Sequence, residues 1–146
     1  GLLFLTYLPG TYASAISGKL GKRYSQPVCM MAGTVIIMLG SAVTLVPSMY
    51  AIILGLLINA FGFFLTHSTA SSWVSLNAKS GKASASSLYL TFYYLGASTG
   101  GIYLNMFWQR AHWAGVVLGS WLMLLVILAL GYRLRRLHGI SQQTSL

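Results

Sequence analysis

Four stretches of this chain pass without a charged side chain: 18 residues before Lys19, 55 between Arg23 and Lys79, 27 between Lys82 and Arg110, and 22 between Arg110 and Arg133. About 20 apolar residues span the hydrocarbon core of a bilayer as a helix, so each gap is long enough to cross. The 55-residue gap is far too long for one crossing at 1.5 Å per residue, and it carries its own break at Pro47-Ser48. Five membrane helices follow. Only 6% of the residues are charged, against roughly 25% in soluble domains, and a soluble fold of this size would lack the ionic surface to stay dissolved.

A net charge of +9 raises the question of nucleic acid, and the placement of the cations answers it. With five alternating helices, Lys19, Lys22, Arg23, Lys79, Lys82, Arg133, Arg135 and Arg136 fall on one side and Arg110 alone on the other. That bias is the one expected of cytoplasmic loops. It predicts cytoplasmic connections at 18–27 and 74–82, a cytoplasmic C-terminus, and no nucleic-acid partner. Cys29 is the single cysteine, so no internal disulfide forms. The chain opens at Gly1 inside an apolar run, without the basic start and cleavage site of a secretory leader, and is expected to be a piece of a longer protein.

The helices are expected at about 1–17, 28–46, 50–73, 83–106 and 113–132, with a loose polar tail over 133–146. Pro9-Gly10 should kink the first. The second and fifth are almost wholly apolar and look lipid-facing. The third changes character after Leu57, carrying Asn59, Thr66, His67, Ser68, Thr69, Ser71 and Ser72, and the fourth is similarly mixed. These two cannot face lipid all round. The order along the chain is mixed, apolar, polar-lined, polar-lined, apolar.

The run Ser14-Ala15-Ile16-Ser17-Gly18-Lys19-Leu20-Gly21-Lys22-Arg23 resembles the loop motif G-x-L-x-D-R-x-G-R-R of the major facilitator superfamily. Lys19, Gly21, Lys22 and Arg23 match, Ile16 replaces the leucine, Ser14 stands at the first glycine, and Gly18 stands where the acid belongs. The runs from His67 to Trp73, from Gly81 to Leu90 and Tyr93-Tyr94-Leu95-Gly96 resemble bacterial inner-membrane transporters of the arabinose-efflux type in that superfamily. The resemblance implies a partial C-terminal bundle, helices eight to twelve of twelve, in which eight, ten and eleven help line a central cavity while nine and twelve face lipid. It also implies alternating-access transport of a small organic solute, with efflux as the direction. The partners it implies are membrane lipid, the solute, helix seven and the N-terminal half. With Gly18 at the acidic position, the motif carries topology better than gating.

His67 is the one ionisable residue well inside a predicted span, and such a group is by default a functional candidate; a hydrogen bond to a neighbouring serine, with a packing role only, is the competing reading. On the fourth helix Ser84, Ser87, Thr91, Tyr94 and Ser98 are spaced by three and four and form one hydroxyl stripe. That stripe is expected to face the cavity. Tyr89, Tyr93, Gly96 and Gly100 form an adjacent stripe, expected to pack closely on another helix through its small residues. Asn59, Thr66 and Trp73, seven apart, share a face of the third helix, and Tyr7, Thr11, Ser14 and Gly18 form a stripe on the first. The lining is aromatic and hydroxylic without charge, which suits a neutral or amphipathic solute.

The chain has no Asp or Glu. Proton antiport generally needs a membrane carboxylate, so coupling residues are expected outside this chain unless His67 serves. No cofactor and no metal site are expected; His112 and His138 lack a second ligand at metal spacing. Trp108, Trp113 and Tyr50 fall near helix ends, where aromatic rings sit at headgroup level. Gly96-Ala97-Ser98-Thr99-Gly100 fits G-x-S-x-G, but that motif needs a strand-turn-helix elbow and a triad acid. An intramembrane hydrolase pairing Ser98 with His67 is therefore the enzyme alternative, and a small oligomeric membrane scaffold the structural one.

Overall fold

The computed structural model describes residues 7–143. Helix α1 is Tyr7–Tyr24, α2 is Gln26–Val43 and α3 is Met49–Asn77. A last helical segment, Lys82–Gln143, is broken at Ala111 (φ −144°, ψ 24°) and His112 (φ 47°, ψ −132°). The break divides it into α4 over 82–110 and α5 over 113–143. There is no strand among the described residues. Gln26–Val43, Met49–Asn77 and Lys82–Arg133 are long and apolar enough to cross a membrane. The last, at 52 residues, has length for two crossings.

Several boundaries differ from the sequence expectation. The stretch over 18–24 is helical, and the chain turns at Ser25 alone, with φ 68° and ψ 148°. Lys22 and Arg23 in the last turn of α1 favour that continuation, because cations stabilise the negative helix end. Pro27 in the first turn of α2 costs nothing there, since its missing N–H would have had no partner. Helix α3 runs on to Asn77, whose side chain donates back to Trp73 O at 2.9 Å. The segment beyond Tyr132 is not a loose tail as far as Gln143; its backbone is helical. Pro9 and Gly10, where a kink was expected, fall in the first turn of the described helix, and the residues before Tyr7 lie outside the description.

The interior is made of small and hydroxylic residues. Ala13, Cys29, Leu65 and Val117 are buried, with Ser17, Thr34, Thr44 and Thr69. Large apolar side chains such as Leu39, Phe92, Ile102 and Val126 are exposed. That inversion is expected where lipid is the solvent and close backbone approach drives helix association. The buried hydroxyls are satisfied within their own helices: Thr34 donates to Met30 O at 2.9 Å and Thr69 to Leu65 O at 2.7 Å.

Helices α2 and α3 meet along four glycines. A Cβ on Gly40 would lie 2.8 Å from Asn59 N and 2.9 Å from Gly55 O, and one on Gly62 would lie 2.7 Å from Gly33 O and 2.9 Å from Ile37 N. These neighbours are backbone atoms, so the two antiparallel helices touch backbone to backbone at the glycines. Helix α1 lies on α3, with Phe64 filling the place of a Gly10 side chain and Ser14 Oγ bonded to Ser68 Oγ. Helix α5 lies on α2. Trp113 Nε1 donates to Thr44 Oγ1 at 3.0 Å and Trp121 Nε1 to Ser41 Oγ at 2.9 Å, while Gly131 sits against Met31. Trp113, expected at headgroup level, is 45% exposed and bonds the C-cap residue of α2. After the break, α5 folds back on α4: Gly115 and Gly119 meet Phe107, and Tyr103 Oη donates to Gly119 O at 3.1 Å.

Candidate functional site

Between α3 and α4 the chain gathers its aromatic side chains around His67. Phe63 is one turn before His67 on α3, and Tyr89 and Tyr93 are one turn apart on α4, so each pair shares a helix face. The Phe63 and His67 rings are stacked, with centroids 5.7 Å apart and planes 5° from parallel. Tyr93 stands 4.7 Å from the imidazole centroid and Tyr89 5.6 Å. Tyr89 Oη lies 2.9 Å from His67 Nδ1 and donates toward His67 O at 3.4 Å. Either imidazole tautomer is served: with a proton on Nδ1 the ring donates to Tyr89, which passes its own proton toward the carbonyl; with Nδ1 bare, Tyr89 donates to it. Tyr94, exposed, meets the Tyr93 ring edge-on at 5.3 Å. His67 therefore bonds a tyrosine of the next helix. Among the described residues no group of His, Cys, Asp or Glu could hold a metal ion.

The other predicted site residues scatter. Ser87, Thr91, Tyr94 and Ser98, with Ser84, are all exposed along the side of α4 turned away from its packed face. Thr91 bonds its own helix at Ser87 O, 3.0 Å away. Asn59 and Thr66 are in the α2–α3 seam, and Asn59 also lines a cavity of about 260 Å³ with Phe63, Trp113 and Ser120. The Thr66 hydroxyl donates to Gly62 O at 2.9 Å, with Met30 O at 3.4 Å, and fills the space beside Gly33. Asn59 Oδ1 is buried against Gly40 and has no hydrogen-bond partner. Thr11 is exposed on α1, Ser14 is tied to Ser68, and the side chain of Tyr7 lies outside the described residues. In the motif run, Gly18, Lys19, Lys22 and Arg23 are exposed, and Gly21 meets the Gln26 side chain at 3.1 Å.

The second stripe of α4 divides. Tyr89 and Tyr93 do pack on α3, but a Cβ on Gly96 or Gly100 would meet nothing within 4 Å. The close helix contact expected there is absent from the described residues. Gly96 and Gly100 line a cavity of about 770 Å³ bounded also by Phe63, Tyr103, Ile37 and Ile127, within the size range of small-molecule sites. Its hydroxyls are already used: Thr99 donates to Leu95 O, Tyr103 to Gly119 O and Ser120 to Val116 O. The cavity thus offers apolar surface and no free donor among these groups, whose hydroxyl oxygens can still accept. The pairing of Ser98 with His67 is overturned as well. Ser98 stands five residues beyond Tyr93, about 7.5 Å along α4 and ~140° round it, and His67 Nδ1 is taken by Tyr89.

The sequence showed His67 and both tyrosines without showing that they meet. The signal available was the i, i+4 repeat of aromatics on two successive helices, Phe63 with His67 and Tyr89 with Tyr93. Phe63 itself was missed.

No family model matches the chain, and no solved structure matches it. It is 44% identical over 139 residues to the inner membrane transport protein YnfM of Escherichia coli, an alignment covering 94% of this chain and 33% of that protein. It is 40% identical over 134 residues to the uncharacterized MFS-type transporter YybF of Bacillus subtilis, covering 92% of this chain and 33% of that one. An uncharacterized transporter of Buchnera aphidicola is 38% identical over 130 residues, 89% of this chain and 31% of its own length. The chain spans about a third of the length of the curated relatives it matches. These names put it among transporters rather than enzymes. Its apolar helices, its inverted interior and these relatives agree: over the part that it spans, the chain belongs to the major facilitator superfamily of membrane transporters.

Proposed function

We propose that the chain supplies helices eight to twelve of a twelve-helix secondary transporter that moves a small organic solute across a bacterial inner membrane by alternating access, in the efflux direction. The observation that carries this reading is the uncovered side of α4. Ser84, Ser87, Thr91, Tyr94 and Ser98 are all exposed on a helix whose opposite side packs on α3 and α5. A face with five hydroxyl groups suits water, a solute or another protein surface better than hydrocarbon. In a longer transporter that side turns toward the central cavity, with the His67, Tyr89 and Tyr93 cluster at its edge.

The solute class follows from the same groups. Aromatic faces, hydroxyls and one imidazole, beside an apolar cavity and without any carboxylate, favour a neutral or amphipathic molecule. Eight of nine basic residues at one end of the helices put that end in the cytoplasm. Coupling carboxylates then belong to parts of the transporter beyond this chain.

Single cysteines at Ser87, Thr91 and Tyr94 in the membrane-embedded protein test the assignment, with buried Cys29 replaced by serine and a cysteine at exposed Leu122 of α5 as the lipid-facing control. A water-soluble thiol reagent should modify the three α4 positions and spare position 122. If all three α4 positions stay unmodified, that side of α4 does not face a cavity.

A further inference from the structure

Three features at one end of the bundle converge on an anion site. The first is register. Trp121 meets Ser41 and Gly131 meets Met31, ten residues apart on each helix, so α5 descends beside α2 in step. One further turn brings Arg135 level with Pro27, on the face that Gly131 presents to α2. The second is the turn from α1 into α2. Ser25 alone separates Tyr24 from Gln26, which holds Lys22 and Arg23, both exposed, within a turn of Pro27. The Gln26 side chain is anchored in turn to Ser72 Oγ at 3.5 Å. The third is the absence of any internal counter-charge: the chain contains no Asp or Glu, so no carboxylate of its own neutralises these cations.

We propose that Lys22, Arg23 and Arg135 form a corner that binds the phosphate of an anionic phospholipid headgroup. The depth of the corner argues for lipid over a soluble anion. Arg23 lies over the Tyr24 ring at 5.3 Å and Arg136 over the Tyr132 ring at 5.0 Å, and both tyrosines are about half exposed. Amphipathic rings of this kind sit at headgroup level. Arginine forks phosphate oxygens in two-point contacts, and lysine adds a point charge.

Native mass spectrometry of the protein, released from micelles holding phosphatidylglycerol and phosphatidylcholine in equal amounts, reads the bound lipid. The protein should retain phosphatidylglycerol in preference. Arg23→Gln and Arg135→Gln should each weaken that retention roughly 5-fold, and the double Arg→Lys variant should keep most of it. Arg110→Gln, at the opposite end in the α4–α5 turn, should leave it unchanged, and circular dichroism of each variant checks that the helices persist. Equal retention of phosphatidylcholine would overturn the proposal, as would a loss on Arg110→Gln matching that on Arg135→Gln. Displacement of the lipid by inorganic phosphate alone would make the corner a site for a soluble anion and overturn its assignment to lipid.

Discussion

Replacing Gly62 with alanine should destabilise the helical bundle by about 1–2 kcal/mol, even though alanine is the better helix former. In a helix without neighbours the change stabilises by roughly 0.5–1 kcal/mol. Here the new methyl would lie 2.7 Å from Gly33 O and 2.9 Å from Ile37 N, against 3.4 Å for ordinary contact. Both obstacles are backbone of α2, so no side chain can swing aside. The helices must separate by about 0.7 Å or distort, and a gap of that size forfeits a quarter to a half of each dispersion contact along the seam. Overpacking of this kind costs about 1–3 kcal/mol, which outweighs the helical gain. Gly96→Ala is the internal control, since nothing lies within 4 Å of its Cβ position and only the propensity gain applies. The assay is loss of helical circular dichroism as sodium dodecyl sulfate is titrated into the protein in a mild detergent. Gly62→Ala should lower the midpoint and Gly96→Ala should hold or raise it. Adding Gly33→Ala to Gly62→Ala should cost less than the two single changes together, because one separation relieves both clashes. A Gly62→Ala protein as stable as the parent would refute the seam as drawn.

Tyr89→Phe removes the hydroxyl from His67 Nδ1 while keeping the ring, and should lower the same midpoint by about 0.6 kcal/mol, the usual worth of a hydrogen bond between membrane helices; His67→Ala added to it should show coupling, and strict additivity would deny the contact. Trp121→Phe and Ser41→Ala, which break one indole–hydroxyl bond between α5 and α2, should be non-additive to a similar degree in a double-mutant cycle. Ser25→Gly should stabilise by about 1 kcal/mol, because serine at φ 68°, ψ 148° occupies a region favourable only to glycine and its side chain caps nothing. A lowered midpoint would show that the turn is held some other way.

Fold class was legible because hydrocarbon makes harsh demands. A charge inside a span is costly, so the spacing of Lys and Arg marks where helices can cross, and the absence of Asp and Glu sharpens that pattern. Which helix faces meet is a different matter. Gly96 and Gly100 carry the same i, i+4 spacing that promotes close packing elsewhere, yet the four glycines that carry the α2–α3 contact are Gly33, Gly40, Gly55 and Gly62, each pair seven residues apart. A glycine reports only that a backbone can be approached. Whether one arrives depends on the face presented by a helix tens of residues away. The same blindness left the part that Asn59 and Thr66 play in that seam, and the bond between His67 and Tyr89, 22 residues apart, unseen. Helix ends shift for a local reason: Lys22 and Arg23 read as loop residues in the sequence, yet cations also favour the last turn of a helix, where both stand.

The two indole bonds from α5 to α2 make the protein its own optical probe. Trp113 and Trp121 hold hydroxyls of α2, while Trp108 sits near the α4–α5 turn with its ring edge-on to His112 and Trp73 lies toward the far end of α3. Emission from the first pair reports whether α5 still touches α2, and Trp108 reports the surroundings of the turn. Movement of α5 on α2 during a transport cycle would therefore register as a spectral shift that disappears when Trp113 and Trp121 are both phenylalanine, with no dye attached.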